Sequence, residues 1–242
     1  MRASAERKAM NTIYDIVSRG DYPGRGIAVG RAADGRCCCI YFIMGRSENS
    51  RNRVFVREGD KLYTRAYDES KLIDPSLVIY RAAAELDGRI IVTNGDQTDT
   101  VLYALERSET FVSALMSREF EPDMPNCTPR ISALYEKSMV SLSIIKCENE
   151  RGEGCVRQFF TYPVPKAGEG YFISTYSGLR ASGALMPYMG EPEKCAFTDT
   201  GAALARGVYN ALNEANRVAL YARFWSEGES EHIIINKLEE QA

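Results

Sequence analysis

The sequence has a single histidine, His232, and a single tryptophan among 242 residues. A usual zinc shell combines histidine with cysteine, and the seven cysteines form no paired CxxC units, so no structural metal is expected. An excess of charge of one sign is missing too. Thirty basic residues face 33 acidic ones for a net charge of -3, too even a balance to recruit nucleic acid or an anionic membrane through a global field. Recognition of a phosphate must therefore be local. No apolar run is long enough to span a bilayer, and the charged start with Arg2, Glu6, Arg7 and Lys8 carries no signal-type apolar stretch, so a cytoplasmic chain with no membrane partner is expected. An odd number of cysteines excludes a complete disulfide framework. The run Cys37, Cys38, Cys39 puts neighbours on opposite faces of a strand, which favours reduced thiols. Also missing are a GxxxxGK[ST] phosphate loop and a complete dinucleotide fingerprint, since Gly24-Arg25-Gly26 and Gly152-Glu153-Gly154 lack the remaining glycine and helix. A Ser-His-Asp triad would have to use His232, which reads instead as a polar residue of an edge strand. Cys127 and Cys195 remain candidate thiol nucleophiles, beside the commoner use of buried cysteine as a small apolar side chain.

What is present is an ordinary globular composition, 45% hydrophobic and 26% charged, with enough chain for a sizeable core. Met10, Ile13, Tyr14 and Val17 recur at helical spacing, and the stretch from Gly20 to Gly24 with Pro23 ends that helix. Strands follow. Arg25 to Arg31 and Arg36 to Met44 flank Asp34-Gly35; Val54 to Arg57 and Leu62 to Tyr67 flank Gly59-Asp60; Leu77 to Ala84 and Arg89 to Thr93 flank Asp87-Gly88. Such dipeptides take the positive φ angles of tight turns, so the three pairs read as antiparallel hairpins. From Asp99 the apolar spacing becomes helical through Val101, Leu102 and Leu105 and again through Phe111, Val112 and Leu115, as one broken helix or two short ones. Arg130 to Tyr135, Val140 to Lys146, Val156 to Tyr162 and Tyr171 to Tyr176 read as further strands. Thr198 or Thr200 is placed to cap a helix running to about Asn213, with Val218 to Trp225 and Ile233 to Asn236 as closing strands. The expectation is one α+β domain over 1–242 with two antiparallel sheets and helices packed outside them, since the first hairpins leave no room for the crossover helices of a parallel sheet.

Three polar segments could carry chemistry. Gly45 to Arg53 holds Arg46, Arg51 and Arg53 with Ser47, Asn49, Ser50 and Asn52 interleaved, and guanidinium forks with small polar side chains suit a phosphate. Arg25, after the Tyr22-Pro23-Gly24 turn, can join it from a neighbouring strand. The bland reading is a solvated surface loop. Thr93 to Asp99 sits at a strand end before a helix, where Thr98 or Asp99 can cap and leave amide and hydroxyl groups for a ligand, or can do nothing more than connect. Phe120 to Arg130 holds Glu121, Asp123, Asn126 and Arg130 among three prolines, which suits either a preorganised acid-base site or a rigid surface crossing.

Taken in order, these segments together with Gly168-Glu169-Gly170-Tyr171 leading to Tyr176 resemble the archaeal-type IMP cyclohydrolase family, which also has bacterial members. The resemblance spans roughly residues 22 to 180. It implies a four-layer α-β-β-α sandwich like that of N-terminal nucleophile hydrolases, although a chain that starts Met1-Arg2 has no N-terminal Cys, Ser or Thr nucleophile, so the fold does not bring hydrolase chemistry with it. It also implies dehydrative closure of 5-formamidoimidazole-4-carboxamide ribonucleotide to IMP, with no cofactor and no metal. The partner is then a small-molecule purine ribonucleotide, with room for a homo-oligomer. Residues 1–21 stand before the resemblance as a helical extension. On this footing Arg25, Arg46, Ser47, Arg51 and Arg53 are expected on the phosphate and ribose, Asn94, Asp96 and Thr98 at the carboxamide end, and Asn52, Gly95, Thr128 and Tyr176 as further substrate-binding positions. Glu121 or Asp123, with Arg130, is expected to move protons and balance charge. The rivals are an amide-bond hydrolase on the same fold and a purine-nucleotide-binding protein without turnover.

Overall fold

The structure is a computed structural model and describes residues 9–72, 75, 78–149, 151–179 and 184–241. Strand β1 (Arg25–Arg31) pairs antiparallel with β2 (Cys37–Met44) across a turn in which Gly35 takes φ +87. Side chains alternate across a strand, and both faces of β2 are covered. Cys39, Tyr41 and Ile43 enter one core, while Cys38, Ile40, Phe42 and Met44 enter another. The three consecutive cysteines are thus split between opposite faces of β2.

To this pair the chain adds β10 (Glu169–Ser174) and β13 (Glu193–Ala196) beyond β1, and β14 (Arg217–Ser226) and β15 (Glu229–Asn236) beyond β2, giving a six-stranded sheet in the order β13-β10-β1-β2-β14-β15. The second sheet is a meander. Its seven strands follow sequence order: β3 (Arg53–Glu58), β4 (Lys61–Ala66), β5 (Arg81–Leu86), β6 (Arg89–Thr93), β7 (Arg130–Tyr135), β8 (Met139–Cys147) and β9 (Cys155–Pro163). Gly59 at φ +61, and Asp87 and Gly88 at +50 and +75, make the other two hairpin turns expected from sequence. A core containing Ile27, Tyr41, Phe55, Val92, Ile131, Leu142 and Tyr221 lies between the two large antiparallel sheets. Helices α1 (Ile13–Val17) and α5 (Gly201–Ala211) pack on the outer face of the first sheet through Ile13, Val17, Leu204 and Val208. Helices α3 (Gln97–Glu106) and α4 (Phe111–Met116) cover the second through Val101, Leu105, Phe111 and Leu115.

Several expectations need correction. Strand β5 starts at Arg81, not Leu77, which lies outside the described residues; Val78 and Tyr80 accept and donate hydrogen bonds with Thr64 before regular pairing begins. The stretch Tyr171 to Tyr176 is two strands, because Thr175 turns its backbone to Arg25 on one side and Tyr188 on the other; Tyr176 then opens β11 (Tyr176–Leu179), which pairs with β12 (Leu185–Pro187). Helix α5 ends at Ala211 rather than near Asn213. Thr200 is its N-cap residue, but its hydroxyl is engaged with Asp34 and Arg36 instead of the helix backbone. Neither Thr98 nor Asp99 caps α3, which begins at Gln97 after Asp96. Inside the supposed loop Gly45 to Arg53 there is a single helical turn, α2 (Glu48–Arg51), closed by a reciprocal Ser47–Ser50 capping box. A final turn, α6 (Lys237–Glu240), follows β15. His232 does sit on edge strand β15, bonded to Tyr221 at 2.9 Å and Ser230 at 3.1 Å. Among the described residues no helix is long and apolar enough to cross a membrane.

Candidate active site

Arg25 and Arg53, the first residues of β1 and β3, meet at one cavity between the sheets. The cavity is about 280 Å³ and is lined by Tyr22, Arg25, Arg46, Ser47, Asn49, Ser50, Arg53, Val78, Glu121, Asp123, Asn126, Thr128, Tyr176 and Leu185. Arg25 is held from behind by the Thr175 hydroxyl, which accepts its backbone N–H at 3.1 Å. Arg53 is 2% exposed and donates to the carbonyls of Ser50 at 2.8 Å and Met44 at 3.1 Å, so it fixes the ends of β2 and α2 while its charge faces the cavity. Arg46 lies at the exposed mouth with its guanidinium 4.8 Å from the centre of the Tyr22 ring.

Glu121 is 2% exposed, and its carboxylate stands 3.8 Å from the Arg25 guanidinium. No hydrogen bond to another side chain holds it among the described residues. Burial raises its pKa above the ordinary carboxylate value, against the pull of Arg25 and Arg130. Burial also works against the charge of Arg25, but Glu121 and then the hydroxyls of Tyr80, Tyr22 and Tyr41 outweigh it, so this guanidinium is held more firmly protonated than usual. Arg53 is lowered by burial and by neighbouring Arg25. Beneath these groups the Tyr41 and Tyr80 hydroxyls share a buried 2.8 Å hydrogen bond.

The proline-braced loop closes on itself. The Glu121 N–H donates to the Thr128 carbonyl at 2.9 Å, and the two Asp123 oxygens accept from the Thr128 N–H at 2.7 Å and the Thr128 hydroxyl at 2.5 Å. The same hydroxyl lies 2.7 Å from the Tyr176 hydroxyl. The ring of Tyr176 stacks at 6.1 Å on Tyr22, and behind that pair a second cavity of about 270 Å³ reaches Ile16, Val17 and Arg19.

Of the positions singled out in the sequence, Arg25, Arg46, Ser47, Arg53, Glu121, Asp123, Thr128 and Tyr176 line the cavity. The rest do not. Arg51 turns away to the Gly45 carbonyl at 3.0 Å and Asn216 at 3.3 Å. Asn52 uses both ends of its amide on the backbone of Asp68. Asn94 is fully buried and ties β6 to β7, donating to the Pro129 carbonyl at 2.9 Å and accepting from the Ile131 N–H at 2.8 Å. Thr98 bonds Thr93 at 2.7 Å. Asp96 and Gln97 hold Arg130, each at 2.7 Å, beside Gly95, where an added Cβ would stand 2.5 Å from the Arg130 nitrogen and 3.5 Å from a Glu121 oxygen. Arg130 thus braces the floor behind Glu121. Tyr22, Asn49, Ser50 and Asn126 belonged to segments already suspect in the sequence, but Val78 and Leu185 carry no local signal and arrive through the tertiary fold.

Comparison with known proteins identifies the family. The family described as IMP cyclohydrolase-like protein matches residues 22–229, beginning at Tyr22 of the cavity wall. The chain is 32% identical to an IMP cyclohydrolase of Methanopyrus kandleri over 159 residues, which is 64% of this chain and 75% of that protein. It is 24% identical to an IMP cyclohydrolase of Methanococcus aeolicus over 166 residues, 66% of this chain and 77% of the relative. With the match running through both sheets and every strand that feeds the cavity, the chain belongs to the IMP cyclohydrolase-like protein family.

Proposed function

We propose that the chain is an IMP cyclohydrolase that closes 5-formamidoimidazole-4-carboxamide ribonucleotide to IMP with loss of water, on a four-layer α-β-β-α sandwich of the N-terminal nucleophile hydrolase kind, in the cytoplasm. The observation that carries the reading is a buried Glu121–Arg25 pair in a cavity that also presents Arg46 and Arg53. Surplus guanidinium charge suits a phosphate, and a carboxylate without hydrogen-bonding side chains suits a proton acceptor.

The reaction joins two groups of one molecule, so much of the barrier is a matter of position. Glu121 accepts a proton from the carboxamide nitrogen as that nitrogen attacks the formyl carbon. Arg25 offsets the charge that develops on the former formyl oxygen. Glu121 returns its proton to that oxygen, and the resulting hydroxyl leaves as water with the proton of the formamide nitrogen, completing the ring double bond. Between the two carboxylates of the loop, Glu121 is the base because both oxygens of Asp123 are occupied by Thr128. The reaction calls for no redox step and no organic cofactor.

An ultraviolet assay for IMP formation from the formamido nucleotide tests this directly. Glu121→Gln should lower turnover by roughly a hundredfold or more. Its acid limb in wild type should lie above the ordinary carboxylate range, following the raised pKa. Nucleotide bound tightly with no ring closure would mark a binding protein instead. A thiol hydrolase finds no support in the site, since burial pushes both Cys127 and Cys195 above the usual thiol value.

A further inference from the structure

The cavity has a polarity set by one hydrogen-bond chain. Thr128 has a single hydroxyl proton and two oxygen neighbours, Asp123 at 2.5 Å and Tyr176 at 2.7 Å. A carboxylate has no proton to give, and about 2.5–2.7 Å is the range of a charge-assisted O–H···O⁻ bond, so Thr128 spends its proton on Asp123. The contact with Tyr176 can then exist only if the Tyr176 hydroxyl donates to Thr128. Burial keeps that phenol neutral by raising its pKa, so it has a proton to donate. What it has left for the cavity is lone pairs.

We propose that Tyr176 is a specificity-determining residue whose oxygen accepts an N–H from the substrate, and that Asp123, through Thr128, is the positioning residue that sets this direction. The inference rests on the functional reading above and sharpens it. Glu121 and Tyr176 are both acceptors, while Arg25, Arg46 and Arg53 are donors only. A primary carboxamide has two N–H groups, one for Glu121 to remove and one for Tyr176 to hold. A carboxylate at the same place offers no donor to either Glu121 or Tyr176.

The direction can be reversed at one atom. In Asp123→Asn the side-chain oxygen must remain on the Thr128 N–H, which needs an acceptor, and this places the amide NH₂ against the Thr128 hydroxyl. That hydroxyl becomes the acceptor there, turns its own proton to Tyr176, and releases the Tyr176 proton into the cavity. The test uses two ribonucleotides that lack the formyl group and cannot react, 5-aminoimidazole-4-carboxamide and 5-aminoimidazole-4-carboxylate, titrated calorimetrically into wild type, Asp123→Asn, Tyr176→Phe and the double variant. Wild type should prefer the carboxamide. Asp123→Asn should shrink that preference at least tenfold, and Tyr176→Phe should shrink it as well. In the Tyr176→Phe background Asp123→Asn should have a smaller effect, because only the change of charge remains. An equal effect of Asp123→Asn with and without Tyr176, or an unchanged preference in Tyr176→Phe, overturns the inference. Failure of wild type to bind either nucleotide would instead overturn the functional reading.

Discussion

Arg46 and Arg51 leave the same short segment in different directions, and sequence spacing alone treats them as equals. Arg46 faces the cavity mouth; Arg51 is bonded to Gly45 and Asn216 on the far side of α2. Arg46→Ala should weaken IMP binding by about 1.5–3 kcal/mol, the range for a hydrogen bond to a charged group, while Arg51→Ala should stay within about 0.5 kcal/mol. Calorimetry with IMP separates the two, and equal losses would mean that the phosphate sits elsewhere. His232 gives a second test at this scale. Burial, followed by the charges of Arg57 and Arg223, lowers its pKa from 6.5 to about 4. The unfolded chain therefore binds a proton that the folded one refuses across that window, and stability should fall as pH drops from 6.5 toward 4. His232→Gln should flatten that part of a urea-midpoint profile and leave the midpoint above pH 7 nearly unmoved.

At the scale of elements, the polar residues of the cavity region divide into those that face it and those that hold its frame. Asn94 stands in for a missing stretch of backbone pairing between β6 and β7, and it also accepts from Gln97 at 3.0 Å, which in turn holds Arg130. Asn94→Ala leaves buried donors and acceptors without partners and should cost about 2–4 kcal/mol, read as a lower urea midpoint at constant m. Asn236 does the same between sheets. At the end of β15 its amide donates to the Phe55 carbonyl at 3.0 Å and accepts the Phe55 N–H at 2.8 Å, so one side chain joins β15 to β3. Sequence marked Asn94 as a ligand group because amides suit both tasks, and burial decided between them.

For the molecule as a whole, the sheets share one apolar core, with Tyr41 and Tyr221 of the first packed among Phe55, Val92 and Leu142 of the second. Neither sheet can keep its inner face covered alone, so calorimetric unfolding should be a single transition with van't Hoff and calorimetric enthalpies equal. Two transitions would mean that the sheets melt apart. Activity should survive exhaustive chelation, because the closure needs no Lewis acid and, among the described residues, no group of three or more His, Cys, Asp and Glu side chains could hold an ion. The alternation of apolar and polar residues and the Asp-Gly and Gly-Asp turns determined by themselves that the chain makes antiparallel hairpins, since side-chain period and turn geometry are local properties. The ordered motifs likewise pointed to the family. Which arginine faces the cavity, which carboxylate is occupied by Thr128, and that Val78 and Leu185 complete the wall were decided by the tertiary structure, because each depends on where a side chain points after distant strands have paired. Glu121 and Asp123 are nearly indistinguishable in sequence, and only the Thr128 hydrogen bonds, formed when the loop closes, tell them apart.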